Sequence, residues 1–254
     1  MLLAIDIGNT QIGLGVYTRG EWLARWRMRT VLGKTADEYG VLIRGLFASH
    51  NFAPADIERA VLASVVPSLT PAFRELCTSL SGHPPLVVGP GVKTGLNIRT
   101  DHPSEVGADL VADAVAAYDR FRESCIVVDF GTATTFTAVA SPGVLLGVAI
   151  APGLGTAARS LAEHAAQLPQ VPLVVPKAAL GKNTLEAMQS GLVFGYVGLV
   201  RELIRRLGAE LGGEPQVIAT GGHATLIAPL VSEIQAVDPW LTLEGLRLIA
   251  ARNP

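Results

Sequence analysis

The chain is poor in cysteine. Cys77 and Cys125 are the two cysteines among 254 residues, too few for a disulfide framework or for a zinc site of their own. Such usage suits a reducing cytoplasm. Charge is also sparse: Asp, Glu, Lys and Arg make up 17% of the chain, and the formal net charge is -2. With 20 basic against 22 acidic residues, no positive surplus exists to neutralise a phosphate backbone, which excludes a dedicated nucleic-acid binder. The five histidines lie scattered, without metal-ligand spacing, and there is no Gly-x-Ser-x-Gly elbow. A secretory leader is not expected, because Met1-Leu2-Leu3-Ala4-Ile5 has no basic start and Asp6 arrives too early. No unbroken apolar run approaches the ~20 residues of a membrane span. The uncharged stretch 130–158 is interrupted by Pro142, Pro152, glycines and threonines. It reads as two buried strands joined at Ser141-Pro142-Gly143. The expectation is a soluble cytoplasmic protein without a membrane partner.

What the chain has is apolar material. Hydrophobic residues reach 49%, which excludes disorder as the dominant state and supplies a core for one large or two ordinary domains. An internal echo organises the rest. Ala4-Ile5-Asp6-Ile7-Gly8-Asn9-Thr10 is answered by Val127-Val128-Asp129-Phe130-Gly131-Thr132-Ala133. Each copy places an acid and a glycine at the end of an apolar run, then enters a second strand-like run, at 12–17 and 135–140. Two acid-bearing hairpins, one near the start of each half, predict a duplicated domain with a boundary near 119–123. Between them, strands alternate with helices, which implies an α/β protein. Thr35-Ala36-Asp37-Glu38 predicts a capped helix start, with Val41, Leu42, Leu46 and Phe47 on the buried face. Short strands are expected at 61–63, 86–88 and 217–219. Helices are expected at 107–118, at 243–251 and as segments within 185–207 despite Gly191, Gly195 and Gly198.

The chemistry concentrates in the hairpin turns. An acid at the end of a buried strand can hold a divalent cation, usually through water. A glycine beside it lets backbone approach a phosphate, and turn N–H groups can donate to phosphate oxygens. One such turn also reads as simple backbone capping. Two copies facing across a cleft would make one phosphate and metal site, with Asp6 and Asp129 as the acids and Thr132 reaching a phosphate. Thr220-Gly221-Gly222 follows a strand and offers backbone to a base or ribose, or is merely a loop. Asp109 falls in the first turn of its helix. There it complements the helix dipole, or orients a hydroxyl and takes its proton in phosphoryl transfer, kept ionised by the dipole. Asp113 reads as solvated or structural. Gly153-Leu154-Gly155-Thr156 imitates a dinucleotide fingerprint without the acid that should follow. Gly181-Lys182-Asn183-Thr184 resembles the tail of a P-loop, but Pro176 occupies the place of its first glycine.

Taken in order, these pieces resemble the type III pantothenate kinases. The set is Asp6-Ile7-Gly8-Asn9-Thr10, Ser64-Val65-Val66-Pro67, Gly95-Leu96-Asn97-Ile98-Arg99, Glu105-Val106-Gly107-Ala108-Asp109 and Asp129-Phe130-Gly131-Thr132-Ala133-Thr134. It continues with Pro152-Gly153-Leu154, Gly181-Lys182-Asn183-Thr184, Thr220-Gly221-Gly222 and Leu241-Thr242-Leu243-Glu244-Gly245-Leu246. The resemblance implies an actin-like ATPase fold, with two ribonuclease H-like domains arising from duplication, here 1–120 and 121–254. It implies ATP-dependent phosphorylation of pantothenate to 4'-phosphopantothenate, the first step of coenzyme A synthesis, with Mg2+ and with K+ or NH4+, in a homodimer. By that resemblance Asp6, Ile7, Gly8, Asn9, Thr10, Gln11, Ile12 and Gly13 form the ATP phosphate loop. Asp6 holds magnesium through water, Thr132 contacts ATP and Asp129 binds the monovalent cation. Asp109 accepts the proton, and Thr100, Gly107, Ala108, Asp109, Leu110 and Thr184 line the pantothenate site. The chain departs from the family pattern at Leu110, where an arginine is usual, and at Thr100 and His102. Leucine cannot supply a cationic fork. These departures leave room for a nucleotide-binding relative without catalysis, or for a kinase of another small hydroxylated acceptor.

Overall fold

The computed structural model describes residues 1–254. Strands β1 (Leu2–Ile7), β2 (Gln11–Thr18) and β3 (Glu21–Arg29) lead into helix α1 (Ala36–Ala48), β4 (Arg59–Ser64), α2 (Thr70–Ser81) and β5 (Leu86–Val87). After β6 (Asn97–Ile98) and α3 (Ala108–Phe121), the pattern repeats as β7 (Cys125–Phe130), β8 (Ala133–Ala140) and β9 (Val144–Pro152). Then come α4 (Leu154–His164), α5 (Thr184–Glu210), β10 (Gln216–Thr220), α6 (Ala224–Ile227), β11 (Ala236–Val237) and α7 (Leu241–Arg252).

The echo in the sequence is an echo in topology. The first sheet runs β3-β2-β1-β4-β5. Its first three strands form an antiparallel meander, and β4 and β5 run parallel to β1. The second sheet runs β11-β10-β7-β8-β9-β6. There β7, β8 and β9 make the meander, and β10 and β11 run parallel to β7. Strands β1 and β7 therefore hold the same place in each sheet. Each has six residues, with the acid fifth and the only interruption in an otherwise buried end. Parallel neighbours need crossover helices, and the strand–helix alternation seen in the sequence supplies them.

Each unit has its own core. In the first, Leu3, Ile5 and Ile7 from β1 and Ile12, Leu14 and Val16 from β2 pack on Tyr39, Ile43, Phe47, Phe73 and Leu76. The buried face of α1 is Tyr39, Ile43 and Phe47, whereas Val41 and Leu42 are exposed. The expected face was thus rotated: Tyr39, Ile43 and Phe47 keep the spacing of four that stays on one side of a helix. The capping box at Thr35 is formed, with Glu38 N–H donating to Thr35 Oγ1 at 3.3 Å and Thr35 N–H donating to the Glu38 carboxylate at 2.9 Å. In the second unit, Ile126, Val128, Phe130 and Phe136 pack on Val193, Tyr196 and Val200 of α5. That helix is one continuous element of 27 residues, not several segments. An added Cβ at Gly191, Gly195 or Gly198 would meet nothing within 4 Å, so these glycines lie on its open side. The stretch 130–158 forms β8, the turn at Ser141-Pro142-Gly143, β9 and the start of α4. No helix is long and apolar enough to cross a membrane.

The expected division at residue 120 cuts the chain once. Contacts divide it more often: Met1–Gly95, Asp101–Ala116 and Leu241–Pro254 form one unit, Leu96–Thr100 and Ala117–Trp240 the other. The physical reasons lie at two places. Strand β6 extends the second sheet by pairing with β9. Helix α7 packs on β1, β2 and β4 of the first sheet. Small residues make room for it: Gly13 lies opposite Asp6 and Gly15 opposite Ala4, and Leu243 sits over both glycines. Glu244 accepts a hydrogen bond from the Trp22 indole at 3.0 Å and pairs with Arg247. A Cβ at Gly245 would overlap the Ala112 carbonyl of α3. Overpacking of this kind costs about 1–3 kcal/mol. Gly245→Ala is expected to lower the unfolding free energy by that amount in urea titrations, and unchanged stability would show that α7 is not seated there.

Candidate active site

The first unit carries two of the expected site segments. The β1–β2 turn is tight because Gly8 N–H donates to Gln11 O at 3.0 Å, and a Cβ on Gly8 would crowd that same oxygen. The turn is then held from β3's end: Thr30 Oγ1 donates to Gly8 O at 2.6 Å, and Thr30 N–H donates to Thr10 O at 3.0 Å. Thr30 belongs to no motif that would single it out in the sequence, since strand pairing is what brings its partners to it. Asn9, Thr10 and Gln11 are exposed, whereas Ile7 and Ile12 are fully buried. Of the segment 6–13, these two isoleucines offer a ligand backbone only, and the N–H of Gly8 is already used within the turn.

The second segment is the start of α3. Gly107, Ala108 and Asp109 are half-buried and Leu110 is buried. Asp109 Oδ1 accepts from Leu110 N–H at 2.8 Å. A side chain at Gly107 would collide with that carboxylate, so the glycine sets the space in which Asp109 sits. Burial pushes the Asp109 carboxyl above its ordinary range, more strongly than its backbone hydrogen bonds pull it down. The helix start favours the ionised form of this acid, and desolvation works against it, as is usual for a carboxylate removed from water. Asp113, one turn on, is 1% exposed and is therefore structural rather than solvated.

The second unit carries the rest. Asp129 lies across from Thr135 on β8 and Thr220 on β10. Gly221 has φ +89°, and a Cβ there would overlap Asp129 Oδ1 and the Phe130 backbone. Its glycine is thus required by the acid, while Gly222 faces open space. Thr132 is exposed, and its carbonyl accepts from Gly153 N–H at 3.1 Å and from Thr156 Oγ1 at 2.7 Å. The segment that imitated a dinucleotide fingerprint is therefore a buttress for the Gly131-Thr132 turn. Beneath the turn, the Thr134 and Tyr196 hydroxyls share a hydrogen bond. Burial raises the Tyr196 phenol, with a smaller contribution from the negative charge of Asp129. Thr100 follows β6 and buries its hydroxyl without a hydrogen-bond partner.

Gly181-Lys182-Asn183-Thr184 is the cap of α5. Glu186 N–H donates to Asn183 Oδ1 and Lys182 N–H to the Glu186 carboxylate, both at 2.9 Å. Thr184 lines an open cleft of about 650 Å³. Asp6, Gly107, Asp109 and Leu110 thus belong to one unit, and Thr100, Asp129, Thr132 and Thr184 to the other.

Two observations bear on ions. The carboxylate of Asp129 is closely flanked by Gly221 and Gly131, and a carboxylate is the kind of hard oxygen ligand that alkali and alkaline-earth cations take. No group of three or more His, Cys, Asp or Glu residues is placed to hold a metal. A divalent ion would take most of its ligands from phosphate and water, the usual habit of magnesium.

The sequence profile of type III pantothenate kinases matches residues 2–206. A type III pantothenate kinase of Moorella thermoacetica is 51% identical over 253 residues, covering 100% of both chains. One from Geobacter sulfurreducens is 50% identical over 254 residues, covering 100% of this chain and 99% of its own. Among solved structures, a proposed 2-dehydro-3-deoxygalactonokinase from Sinorhizobium meliloti is similar with a TM-score of 0.64 at 16% identity, covering 98% of this chain and 96% of that one. At that identity the likeness concerns the fold, and it agrees with the repeated sheet order: this is the actin-like ATPase fold with two ribonuclease H-like sheets. A full-length match near half identity, on the motifs whose local geometry is described above, places the chain in the type III pantothenate kinase family.

Proposed function

We propose that the protein transfers the γ-phosphoryl group of ATP to the primary hydroxyl of pantothenate, giving 4'-phosphopantothenate and ADP. The observation that supports this most directly is Asp109: a half-buried acid at a helix start, with its carboxyl raised by burial. In a family of pantothenate kinases, such a group is suited to the acceptor hydroxyl. The hydroxyl oxygen attacks the γ-phosphorus, the bond to the β-phosphate oxygen breaks, and the proton passes to Asp109. Most of the rate would come from positioning and charge stabilisation.

The other roles divide by ligand part. The exposed Asn9, Thr10 and Gln11 of the hairpin, held from behind by Thr30, would bind the phosphates of ATP, and Asp6 would orient the water shell of a magnesium ion. Asp129 would hold K+ or NH4+, with Thr132 reaching ATP from the turn that Gly153 and Thr156 support. Magnesium and a monovalent cation would supply positive charge against the phosphates. Gly107, Ala108, Leu110, Thr100 and Thr184 would shape the acceptor site. A homodimer fits α5: Gly191, Phe194, Gly195 and Gly198 are exposed along one side, a surface of small residues and one ring that a second helix can approach.

The direct assay is purified protein with ATP, magnesium, potassium and pantothenate. Formation of 4'-phosphopantothenate is expected, and its absence over a wide substrate range would overturn the reading. Asp109→Asn is expected to lower kcat by at least about a hundredfold, the usual worth of a positioned base, while leaving ATP binding intact. In the wild type, the acid limb of kcat/KM is expected above the usual carboxylate range, because the ionised form is needed and its pKa is raised. The sign for stability is opposite. A raised acid costs stability as pH climbs from the unfolded toward the folded pKa, and that cost persists above it. Asp109→Asn is therefore expected to be more stable than the wild type at neutral pH; equal turnover or lower stability would remove Asp109 from this role. Sedimentation is expected to give a two-chain mass that Phe194→Asp shifts toward one chain, and a monomeric wild type would contradict the dimer.

A further inference from the structure

Helix α5 carries one polar atom where its packing asks for none. Its buried residues from Leu192 onward are Leu192, Val193, Tyr196, Val200, Ile204 and Gly208. Tyr196 alone among them bears a polar side-chain atom, and a phenylalanine would fill the same space. Burying a hydroxyl is costly unless it is hydrogen-bonded, so its partners matter. Thr134, fully buried on β8, shares a hydrogen bond with it. The Tyr196 O–H donates to the Pro152 carbonyl at the end of β9 at 3.3 Å. The ring stands 6.3 Å from that of Phe130 at the end of β7. One side chain therefore ties three strand ends that meet at the Gly131-Thr132 turn. The contact continues into the turn itself. Gly153 follows Pro152 and donates its N–H to Thr132 O at 3.1 Å. It is pressed so closely on the turn that a Cβ there would overlap the Gly131 and Thr132 carbonyls. A shift of Pro152 is thus passed to Thr132.

We infer that Tyr196 is a positioning residue for the nucleotide, its hydroxyl holding the Pro152-Gly153 corner against the turn that carries Thr132. This rests on the reading of the protein as a pantothenate kinase in which Thr132 meets ATP, and deepens it. With Thr134 donating to the phenol oxygen and the phenol donating to Pro152 O, both hydroxyls are satisfied and the corner is fixed. The exposed Thr132 then meets its ligand from an ordered backbone, which spares the cost of ordering a loose loop on binding. Tyr196 is itself buried and acts through the turn rather than on the ligand. Neither partner of its hydroxyl belongs to α3, which carries Asp109, so the effect falls on ATP rather than on the acceptor.

The test is Tyr196→Phe, assayed at saturating potassium. KM for ATP is expected to rise about three- to tenfold, the scale of one lost hydrogen bond, while KM for pantothenate stays at the wild-type value. Combining Tyr196→Phe with Thr134→Val separates positioning from stability. Replacing both hydroxyls by apolar groups of similar shape leaves neither orphaned. The double variant is therefore expected to recover most of the urea midpoint lost in Tyr196→Phe, while its KM for ATP remains raised. An ATP KM that recovers together with the midpoint would reduce Tyr196 to a structural residue. An unchanged ATP KM in Tyr196→Phe, or an equal rise for ATP and pantothenate, would overturn the inference outright. Calorimetric titration of ATP reads the same loss without turnover. A wild type that binds ATP more tightly than Tyr196→Phe but makes no 4'-phosphopantothenate would sink the kinase reading while sparing Tyr196. An active wild type that matches the variant in ATP affinity would do the reverse.

Discussion

An acid near the end of a buried central strand is the constraint from which the site is built. β1 and β7 are otherwise apolar and lie inside their sheets, with a hydrogen-bonded strand on each side. A carboxylate there is costly unless its surroundings satisfy or use it. The chain answers this cost twice with the same device, a hairpin turn that starts one residue beyond the acid's apolar neighbour. In the first unit the turn is drawn tight by Gly8 and anchored by Thr30. In the second it is anchored by Gly153 and Thr156, and Gly221 yields its side-chain space to Asp129. Gly8 permits the close approach to Gln11 O in the first turn, and Gly221 combines a positive φ with the space it leaves to Asp129 in the second unit.

The same economy places the acceptor chemistry. Asp109 stands at a helix start whose dipole favours a negative charge, yet burial raises its carboxyl. The two effects oppose each other, and desolvation wins. In the proposed phosphoryl transfer to a neutral hydroxyl, a carboxylate whose pKa is raised is the better acceptor of the proton.

The fold was legible because its signals are local and repeated. Apolar strands ending in acid-apolar-glycine appear twice, and the sheet order follows the same duplication. Thr35 and Glu38 cap α1 as their spacing requires. The errors come from tertiary context. Val41 and Leu42 are apolar but exposed, because Tyr39 and Ile43 hold the buried face. α7 joins the first sheet through Gly13 and Gly15, a contact no window around residue 241 contains. Candidate site residues that sit in a motif, such as Asp6, Asp109 and Asp129, stand out in the sequence; the groups that hold their turns do not. Thr30 and Thr156 are ordinary threonines in the sequence, and only the folded chain brings their hydroxyls onto the carbonyls of the turns.

The central claim is that the acid of the second hairpin holds a monovalent cation used in turnover. The most direct measurement is the rate of ATP-dependent pantothenate phosphorylation against potassium concentration, in the wild type and in Asp129→Asn. The account predicts saturable activation in the wild type, with the half-saturating potassium concentration raised at least about tenfold in the variant, as for a lost charged ligand. Identical potassium curves for the two proteins would contradict it.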